Sequence, residues 1–307
     1  ELGERLASVA LNRYPEPNPR ALCELIKRKM AVPPGMDVLL GNGSDDLIQI
    51  ITLALAKPGA VLMYPAPTFV MYSMNAAFTG MKAVAVPLRD DFSFDPDAFI
   101  AQMRAHNPAV VFLAYPNNPT GVLYPESSVR KIIEAAPGLV VVDEAYHVFA
   151  GKTFMAELPK HENLVVLRTV SKLGLAGIRL GYLAGRPEWL RELNKVRQVY
   201  NVNVLTEAAA TFVLERLEVL EAQAAEIKAE RSRLGDALRK LPGVTVFPSE
   251  ANFFLVRVRD AAKTYEGLRQ QGVLVRNLHP GLANCLRVTV GTPDENRILL
   301  NALREAI

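Results

Sequence analysis

Cysteine and histidine are scarce in this chain of 307 residues. Its two cysteines, Cys23 and Cys285, lie far apart, and its four histidines form no HxH or HxxxH pair. Because metal ligands in proteins recur at close spacing, we expect no metal site and two free thiols. Free thiols are typical of a reducing compartment. No apolar run approaches the ~20 residues of a membrane-spanning helix and no signal peptide opens the chain. We therefore expect a cytoplasmic protein that does not bind membranes.

Concentrated charge is also missing. The 35 basic and 32 acidic residues leave a net charge of +3, and no block of basic residues appears. Nucleic acid is therefore excluded as an expected partner, whereas an anionic small molecule is not. The chain contains neither G-x-G-x-x-G nor a P-loop sequence. A nicotinamide dehydrogenase and a P-loop enzyme thus lose their main support.

Short apolar runs alternate with helical patterns such as "SDDLIQIITLAL" through the first 185 residues. Several runs are apolar throughout, which is typical of strands buried on both faces of a mainly parallel sheet. We predict an α/β fold whose large domain covers residues 12–214. The predicted strands are "VLLGN" from Val38, "AVLMYP" from Ala60, "KAVAVP" from Lys82, "AVVFLAYP" from Ala109, "LVVVDEAY" from Leu139, "LVVLRTVSK" from Leu164 and "RLGYLAG" from Arg179.

The pattern changes after residue 186. An apolar stripe from Leu217 to Leu241, interrupted at Arg231, predicts one long helix that ends at Pro242-Gly243. Three predicted strands follow, "FFLVRV", "GVLVRN" and "CLRVTVG", and "TPDE" at 292–295 predicts a capped final helix. We group residues 215–307, with 1–11, as a smaller α+β domain.

Three polar motifs follow predicted strands, where open α/β sheets bind ligands. They are "GNGSDDLI" at 41–48, "PNNPTG" at 116–121 and "DEAY" at 143–146. Each alone has a structural explanation: a helix capped by Ser44, a turn held by prolines, or a salt bridge. However, Asp143 ends a strongly apolar strand and has no obvious cationic partner nearby in the sequence, although a buried carboxylate needs one.

Lys172 lies in a fourth such motif, "TVSKLGLAGIRLGY" at 169–182. A half-buried lysine loses part of its preference for the charged form, so its amine becomes a nucleophile suited to a Schiff base. Ser171 and Arg179 beside it are suited to a phosphate, and the helix start at residues 43–45 is suited to the same anion.

Asp143 is suited to holding a protonated pyridine nitrogen, and Asn118 and Tyr146 to binding a phenolate oxygen. Together with a Schiff-base lysine and a phosphate site, these requirements describe pyridoxal 5′-phosphate (PLP). Each motif is weak alone. The four motifs in this order make PLP the predicted cofactor.

The chain resembles the fold-type-I, aspartate-aminotransferase-like enzymes, and within them the histidinol-phosphate aminotransferases. The resemblance runs from about Leu11 to the C-terminus. Its motifs are "NRYPEPNP", "GNGSDDLI", "PTFVMY", "PNNPTG", "VVVDEAY", "RTVSKLGLAGIRLGY" and "CLRVTVGTPDEN".

The resemblance implies roles for particular residues. It implies a catalytic set of Lys172, Asp143 and Tyr146. The other implied cofactor contacts are Ser44, Asp45, Phe69, Asn118, Ser171 and Arg179, with Tyr14 reaching in from a partner subunit. The implied substrate contacts are Arg287, Arg276, Asn118 and Tyr200.

The resemblance also implies a reaction, in which an amino group passes between histidinol phosphate and 2-oxoglutarate in a homodimer with shared active sites. Three departures from the family pattern bear on it. Phe69 stands where many relatives have tyrosine, and Lys172 and Arg179 are seven positions apart rather than eight. The given residues do not include the family's N-terminal arm with its asparagine-rich motif and substrate-contacting tyrosine, which bears on substrate specificity more than on the cofactor.

Two further PLP enzymes fit the same motifs, an aromatic aminotransferase and a phosphoamino-acid decarboxylase. A PLP-binding regulator without catalysis fits less well. Such proteins usually carry a DNA-binding segment, and we expect none in the few residues before Leu11. Among neighbouring residues we expect Glu144 and His147 to be structural and Tyr72 to serve helix packing alone.

Overall fold

Two β-sheets organise the chain, which a computed structural model describes over residues 1–307. The larger sheet has seven strands in the order β1-β7-β6-β5-β4-β2-β3. They are β1 (Asp37–Gly41), β2 (Val61–Ala66), β3 (Lys82–Pro87), β4 (Val110–Ala114), β5 (Leu139–Asp143), β6 (Leu164–Thr169) and β7 (Gly181–Gly185). All seven predicted strands are therefore present.

The larger sheet is mainly parallel, as predicted, and only β7 runs antiparallel to its neighbours β1 and β6. Its central strands are buried on both faces. On β5, for example, Val140 and Val142 contribute to one apolar core, and Val141 contributes to the core on the opposite face. This two-sided burial explains why these segments read as continuous apolar runs.

Helices cover both faces of the larger sheet. Helices α3 and α4 belong to one core and α2 and α6 to the other. The helices are α1 (Leu2–Ala7), α2 (Arg20–Lys29), α3 (Ser44–Leu55), α4 (Met71–Phe78), α5 (Pro96–His106), α6 (Glu126–Ala135), α7 (His147–Ala150), α8 (Pro187–Asn194), α9 (Val204–Glu215), α10 (Leu217–Arg239), α11 (Ala261–Gln270) and α12 (Pro293–Ala306), with 3₁₀ turns at Met155–Lys160, Ser171–Leu173 and Ala176–Ile178.

The smaller sheet has four strands in the order β10-β11-β9-β8, all antiparallel. They are β8 (Thr245–Val246), β9 (Phe253–Arg257), β10 (Arg276–Asn277) and β11 (Cys285–Thr289). Helices α11 and α12 pack together beside it, and Thr292 and Glu295 form the predicted capping box of α12.

The long helix α10 joins the two cores. Leu217 and Leu220 at its start belong to the core of the larger sheet, and Leu234 and Leu238 near its end belong to the core of the smaller one. Arg231, which interrupts the apolar stripe, donates hydrogen bonds to the carbonyls of Phe149 and Ala251. The polar residue thus lies where the helix passes from one core to the other.

Two local expectations need correction. The run "GVLVRN" forms a strand only at Arg276–Asn277. Its first residues form the turn that follows α11, with Gly272 at φ +73° and the Val273 N–H donating to the Leu268 carbonyl. Valines occupy this turn because they pack on the core of the smaller sheet. The segment 1–11, grouped above with the small domain, instead places α1 against α9. None of the helices has the length and apolarity that a membrane span requires.

Candidate active site

A cavity of about 470 Å³ opens where the carboxyl ends of β1, β2, β4, β5 and β6 meet. The small sheet closes it from the other side. Every predicted site residue except Tyr14 and Tyr200 lines this cavity. They are Ser44, Asp45, Phe69, Asn118, Asp143, Tyr146, Ser171, Lys172, Arg179, Arg276 and Arg287.

The start of α3 and Arg179 form a cradle for an anion. Gly43 has φ +85°, and a Cβ there would lie 2.6 Å from Arg179 Nη2. A Cβ on Gly181 would lie 2.7 Å from the Ser44 amide nitrogen. Only glycine therefore permits the guanidinium and the helix N-terminus to approach this closely, and both favour a phosphate. Ser44 is the first helical residue and caps nothing, which corrects the cap considered above.

Lys172 lies in the 3₁₀ turn that follows β6, and its side chain is half-buried. Its amine makes no hydrogen bond and has no carboxylate within 4.0 Å, and it lies 5.5 Å from the ring centroid of Tyr146. Burial, followed by the nearby Arg287, lowers the pKa of Lys172 below its ordinary value. A lowered pKa leaves more of the amine in the nucleophilic, neutral form.

Asp143 ends β5 and is buried. Its Oδ1 accepts the Ala145 N–H at 3.1 Å, and its Oδ2 accepts the hydroxyl of Tyr72 at 2.7 Å. Burial raises the pKa of Asp143 to about 6, and the two hydrogen bonds oppose that rise. The predicted salt-bridge alternative is absent, because no cation lies within 4.0 Å of this carboxylate.

The two amides of "PNNPTG" have different surroundings. Asn117 is fully buried and binds Pro67, Thr68 and Thr120, so it fastens the loop after β4 to the loop after β2. Asn118 faces the cavity, and its side-chain oxygen accepts a hydrogen bond from Arg287. Asn117 therefore supports the position from which Asn118 reaches a ligand.

Arg276 and Arg287 are the cations of the small sheet that face the cavity. They pair directly across β10 and β11, and neither has a carboxylate within 4.0 Å. Two adjacent, unpaired guanidinium groups repel each other unless an anion lies between them. This wall of the cavity is thus suited to an anionic substrate.

Tyr14 and Tyr200 lie outside the cavity of their own chain. Tyr14 is 81% exposed, and its ring stacks on that of Tyr200 with centroids 4.7 Å apart. Their predicted contacts with PLP and substrate are not made within one chain and stay predictions about an assembly.

Tyr72 is the functional candidate that the sequence analysis missed. It lies three residues after Phe69, at a spacing that packing alone explains. No local pattern indicates its bond to Asp143, which is 71 positions further along the chain. Glu144 and His147 make structural contacts, as predicted. Buried Glu144 pairs with buried Arg168, and His147 bonds the Glu144 carbonyl.

The family model for aminotransferases of class I and II matches residues 2–303. The chain belongs to this family. It is 57% identical to histidinol-phosphate aminotransferase 1 of Ralstonia nicotianae over 100% of this chain and 84% of that protein. The predicted family is therefore confirmed.

Solved structures of aminotransferases share the fold. The histidinol-phosphate aminotransferase of Clostridium acetobutylicum superimposes with a TM-score of 0.90 at 24% identity, covering 99% of this chain and 92% of that one. The enzyme of Sinorhizobium meliloti, solved in complex with PLP, has a TM-score of 0.89 at 26% identity, covering 99% and 86%. The predicted fold class is confirmed, and so is PLP as the cofactor of this aminotransferase.

The residues present fit PLP. The glycine cradle accommodates a phosphate, and the Lys172 amine, which lies over the Tyr146 ring, makes no hydrogen bond and no ion pair. Asp143 is a buried carboxylate without a cation. These are the three requirements of the cofactor, for a phosphate site, a Schiff-base amine and a partner for the pyridine nitrogen.

Proposed function

We propose that this aminotransferase converts histidinol phosphate and 2-oxoglutarate to imidazole acetol phosphate and glutamate, a step of histidine biosynthesis. The observation that carries the substrate assignment is that Arg276 and Arg287, two neighbouring arginines without a carboxylate partner, face Lys172 across the cavity. Both the phosphate of histidinol phosphate and the carboxylates of 2-oxoglutarate are anions that bind guanidinium groups in a bidentate manner. The names of the relatives support the same substrate.

The cofactor, when bound, supplies an electron sink for the bond broken at the substrate carbon. We assign the remaining work to residues of this chain. Lys172 moves a proton between the substrate α-carbon and the reacting carbon of the cofactor, since its lowered pKa suits an acid–base role. Asp143 holds the pyridine nitrogen protonated, and Asn118 and Tyr146 orient the ring oxygen.

In this proposal the phosphate of the cofactor is anchored by the start of α3 at Ser44 and Asp45 together with Ser171 and Arg179. Asp45 takes part through its backbone, since its carboxylate pairs with Arg179 at 3.8 Å. Phe69 packs against the ring face, and its lack of a hydroxyl leaves that contact purely apolar. Arg287 is already bonded to Asn118, so a substrate anion held by Arg287 lies beside the cofactor oxygen that Asn118 binds.

We also propose that two chains assemble as a homodimer and share their sites. Tyr14 and Tyr200 form an exposed aromatic pair that contacts nothing in its own cavity. Arg197 holds this segment in place by donating to the Pro17 carbonyl and to Asn18. A monomer that binds PLP as tightly as the dimer, measured by sedimentation with bound cofactor, would contradict this arrangement.

The domain boundary near residue 214 and the cytoplasmic location complete the proposal. The boundary is supported by α10, whose start and end belong to different cores. The location is supported by the free thiols of Cys23 and Cys285, which fit a reducing compartment.

The test is an absorption experiment on the PLP-loaded protein. We expect histidinol phosphate to remove the visible band of the lysine-bound cofactor and 2-oxoglutarate to restore it. An aromatic amino acid and a phosphoamino acid are each added in a parallel sample, and carbon dioxide release is measured in all samples, since histidinol phosphate itself has no carboxyl group to lose.

The rival functions give other results. An aromatic aminotransferase would respond to the aromatic amino acid and ignore histidinol phosphate, and a decarboxylase would release carbon dioxide without needing 2-oxoglutarate. Either result would reject the proposed substrate while leaving the cofactor assignment intact.

A further inference from the structure

Tyr72 is a fully buried tyrosine on α4 whose hydroxyl donates to Asp143 Oδ2 at 2.7 Å. Asp143 Oδ1 is fixed by the Ala145 backbone N–H. No other side chain donates to this carboxylate. Tyr72, for which packing alone was predicted, is thus the one side chain that donates a hydrogen bond to the Asp143 carboxylate.

The ring of Tyr72 is held from several sides. It stacks on Phe112 of β4 with centroids 4.7 Å apart and an interplanar angle of 19°. It also meets Phe69 edge-on, with centroids 5.8 Å apart and an angle of 85°. A hydroxyl on a ring this confined has little freedom to leave its acceptor.

Tyr72 therefore joins two groups that face the same cavity. Phe69 lines it from the loop after β2, and Asp143 lines it from the end of β5. A single rigid side chain contacts both. Its position couples the residue assigned to the cofactor's ring face with the residue assigned to its pyridine nitrogen.

We propose that Tyr72 is a positioning residue that holds Asp143 ionised and aimed at the pyridine nitrogen of PLP. The inference rests on the proposed role of Asp143 in the proposed function. In this proposal Tyr72, which also lines the cavity, acts through Asp143.

The charges around Asp143 explain why such a donor is needed. Burial raises the pKa of Asp143, and the like charges of Asp45 and Glu144 raise it further. The hydrogen bonds from Tyr72 and Ala145 lower the pKa of Asp143. The pKa of Lys172, across the cavity, is itself below its ordinary value. Without the Tyr72 hydroxyl, the pKa of Asp143 rises, and the carboxylate takes up a proton at a higher pH.

The test compares Tyr72→Phe with Tyr124→Phe. Both tyrosines are fully buried, but the hydroxyl of Tyr124 has no hydrogen-bond partner, so its removal serves as a matched control. The PLP dissociation constant, the melting temperature and the dependence of kcat on pH are measured for each variant and the wild type.

We expect Tyr72→Phe to weaken PLP binding about tenfold, as for loss of a hydrogen bond to a charged group, and to move the acid limb of the kcat profile to higher pH. Tyr124→Phe should leave both quantities at the wild-type value. In an Asp143→Asn background, Tyr72→Phe should weaken PLP binding by much less, because the charged acceptor is gone.

Three results would overturn the inference: a Tyr72→Phe enzyme with wild-type PLP affinity and pH profile, equal losses in the two phenylalanine variants, or an undiminished loss in the Asp143→Asn background. Failure of the wild type to bind PLP or to respond to any amino donor would instead reject the proposed function, so the two failures are distinguishable.

Discussion

The two walls of the cavity are built differently. On the wall of the larger sheet, Asp143 is fixed by Tyr72 of helix α4, and Ser171 is fixed by Thr169 at the end of β6. On the wall of the smaller sheet, Arg276 is exposed and Arg287 is half-buried. Neither has a carboxylate partner, and Arg287 donates its hydrogen bond to Asn118 of the opposite wall.

This difference suits two kinds of ligand, a cofactor that stays bound and a substrate that enters and leaves. A cofactor that stays bound gains affinity from groups whose positions are fixed before it arrives. A substrate that must enter and leave is better bound by cations at an open edge that remain hydrated until the anion arrives. We therefore propose that residues of the larger sheet carry the chemistry and that Arg276 and Arg287 of the smaller sheet select the substrate.

The largest effect on activity is expected from Lys172→Ala, on the wall of the larger sheet. Removing the only amine placed for Schiff-base formation and proton transfer should lower kcat about 10⁴-fold, and the visible band of the bound cofactor should disappear. Steady-state kinetics and absorption spectra measure both. Lys131→Ala, which removes an exposed lysine outside the cavity, is the control, and activity close to wild type in Lys172→Ala would refute the assignment.

A smaller and different effect is expected on the second wall. Arg287→Lys keeps the charge but loses the bidentate fork, so KM for both substrates should rise about 10- to 100-fold while the cofactor spectrum stays unchanged. Arg276→Lys should act in the same direction. Arg259→Gln, at an exposed arginine of the same domain, should change nothing. A fall in PLP affinity rather than a rise in KM would erase the distinction between the walls.

The smallest effect concerns stability in the absence of PLP. The pKa of Asp143 is about 6 in the folded protein against an ordinary 3.8, so between these values the folded state binds more protons than the unfolded state. Its contribution to stability therefore falls as pH rises from about 4 to 6. Buried His147, whose pKa is lowered to about 3, has the opposite trend.

The difference between the wild type and Asp143→Asn isolates the Asp143 contribution. Denaturant unfolding at several pH values should show the free energy of unfolding of the variant gaining on the wild type by about 2–3 kcal/mol across that window. Parallel curves for the two proteins would show that Asp143 titrates normally.

The sequence predicted the strands and most of the site for one physical reason. Buried parallel strands are apolar along their whole length, and their carboxyl ends meet at one edge, so the polar residues after β4, β5 and β6 had to lie together. The shortness of β10 was not predicted, because the apolar residues of a turn that packs on a core have the same sequence pattern as a strand.

Partnerships across the fold were not predictable from local patterns. Nothing near Tyr72 indicates Asp143, and nothing near Arg231 indicates the carbonyls of Phe149 and Ala251. These bonds depend on the packing of elements distant in sequence. Likewise Tyr14 and Tyr200 were assigned to the site by resemblance, while their stacking on each other is a property of the fold.

Substrate selection by the wall of the smaller sheet is tested most directly by the ratio of kcat/KM for histidinol phosphate to that for histidinol, which lacks the phosphate. If Arg276 and Arg287 select an anionic substrate, the ratio should be about 10² or more, and it should fall toward one when both arginines are replaced by glutamine. A wild-type ratio near one, or a high ratio that survives the double replacement, would contradict the assignment of substrate selection to the small-domain wall.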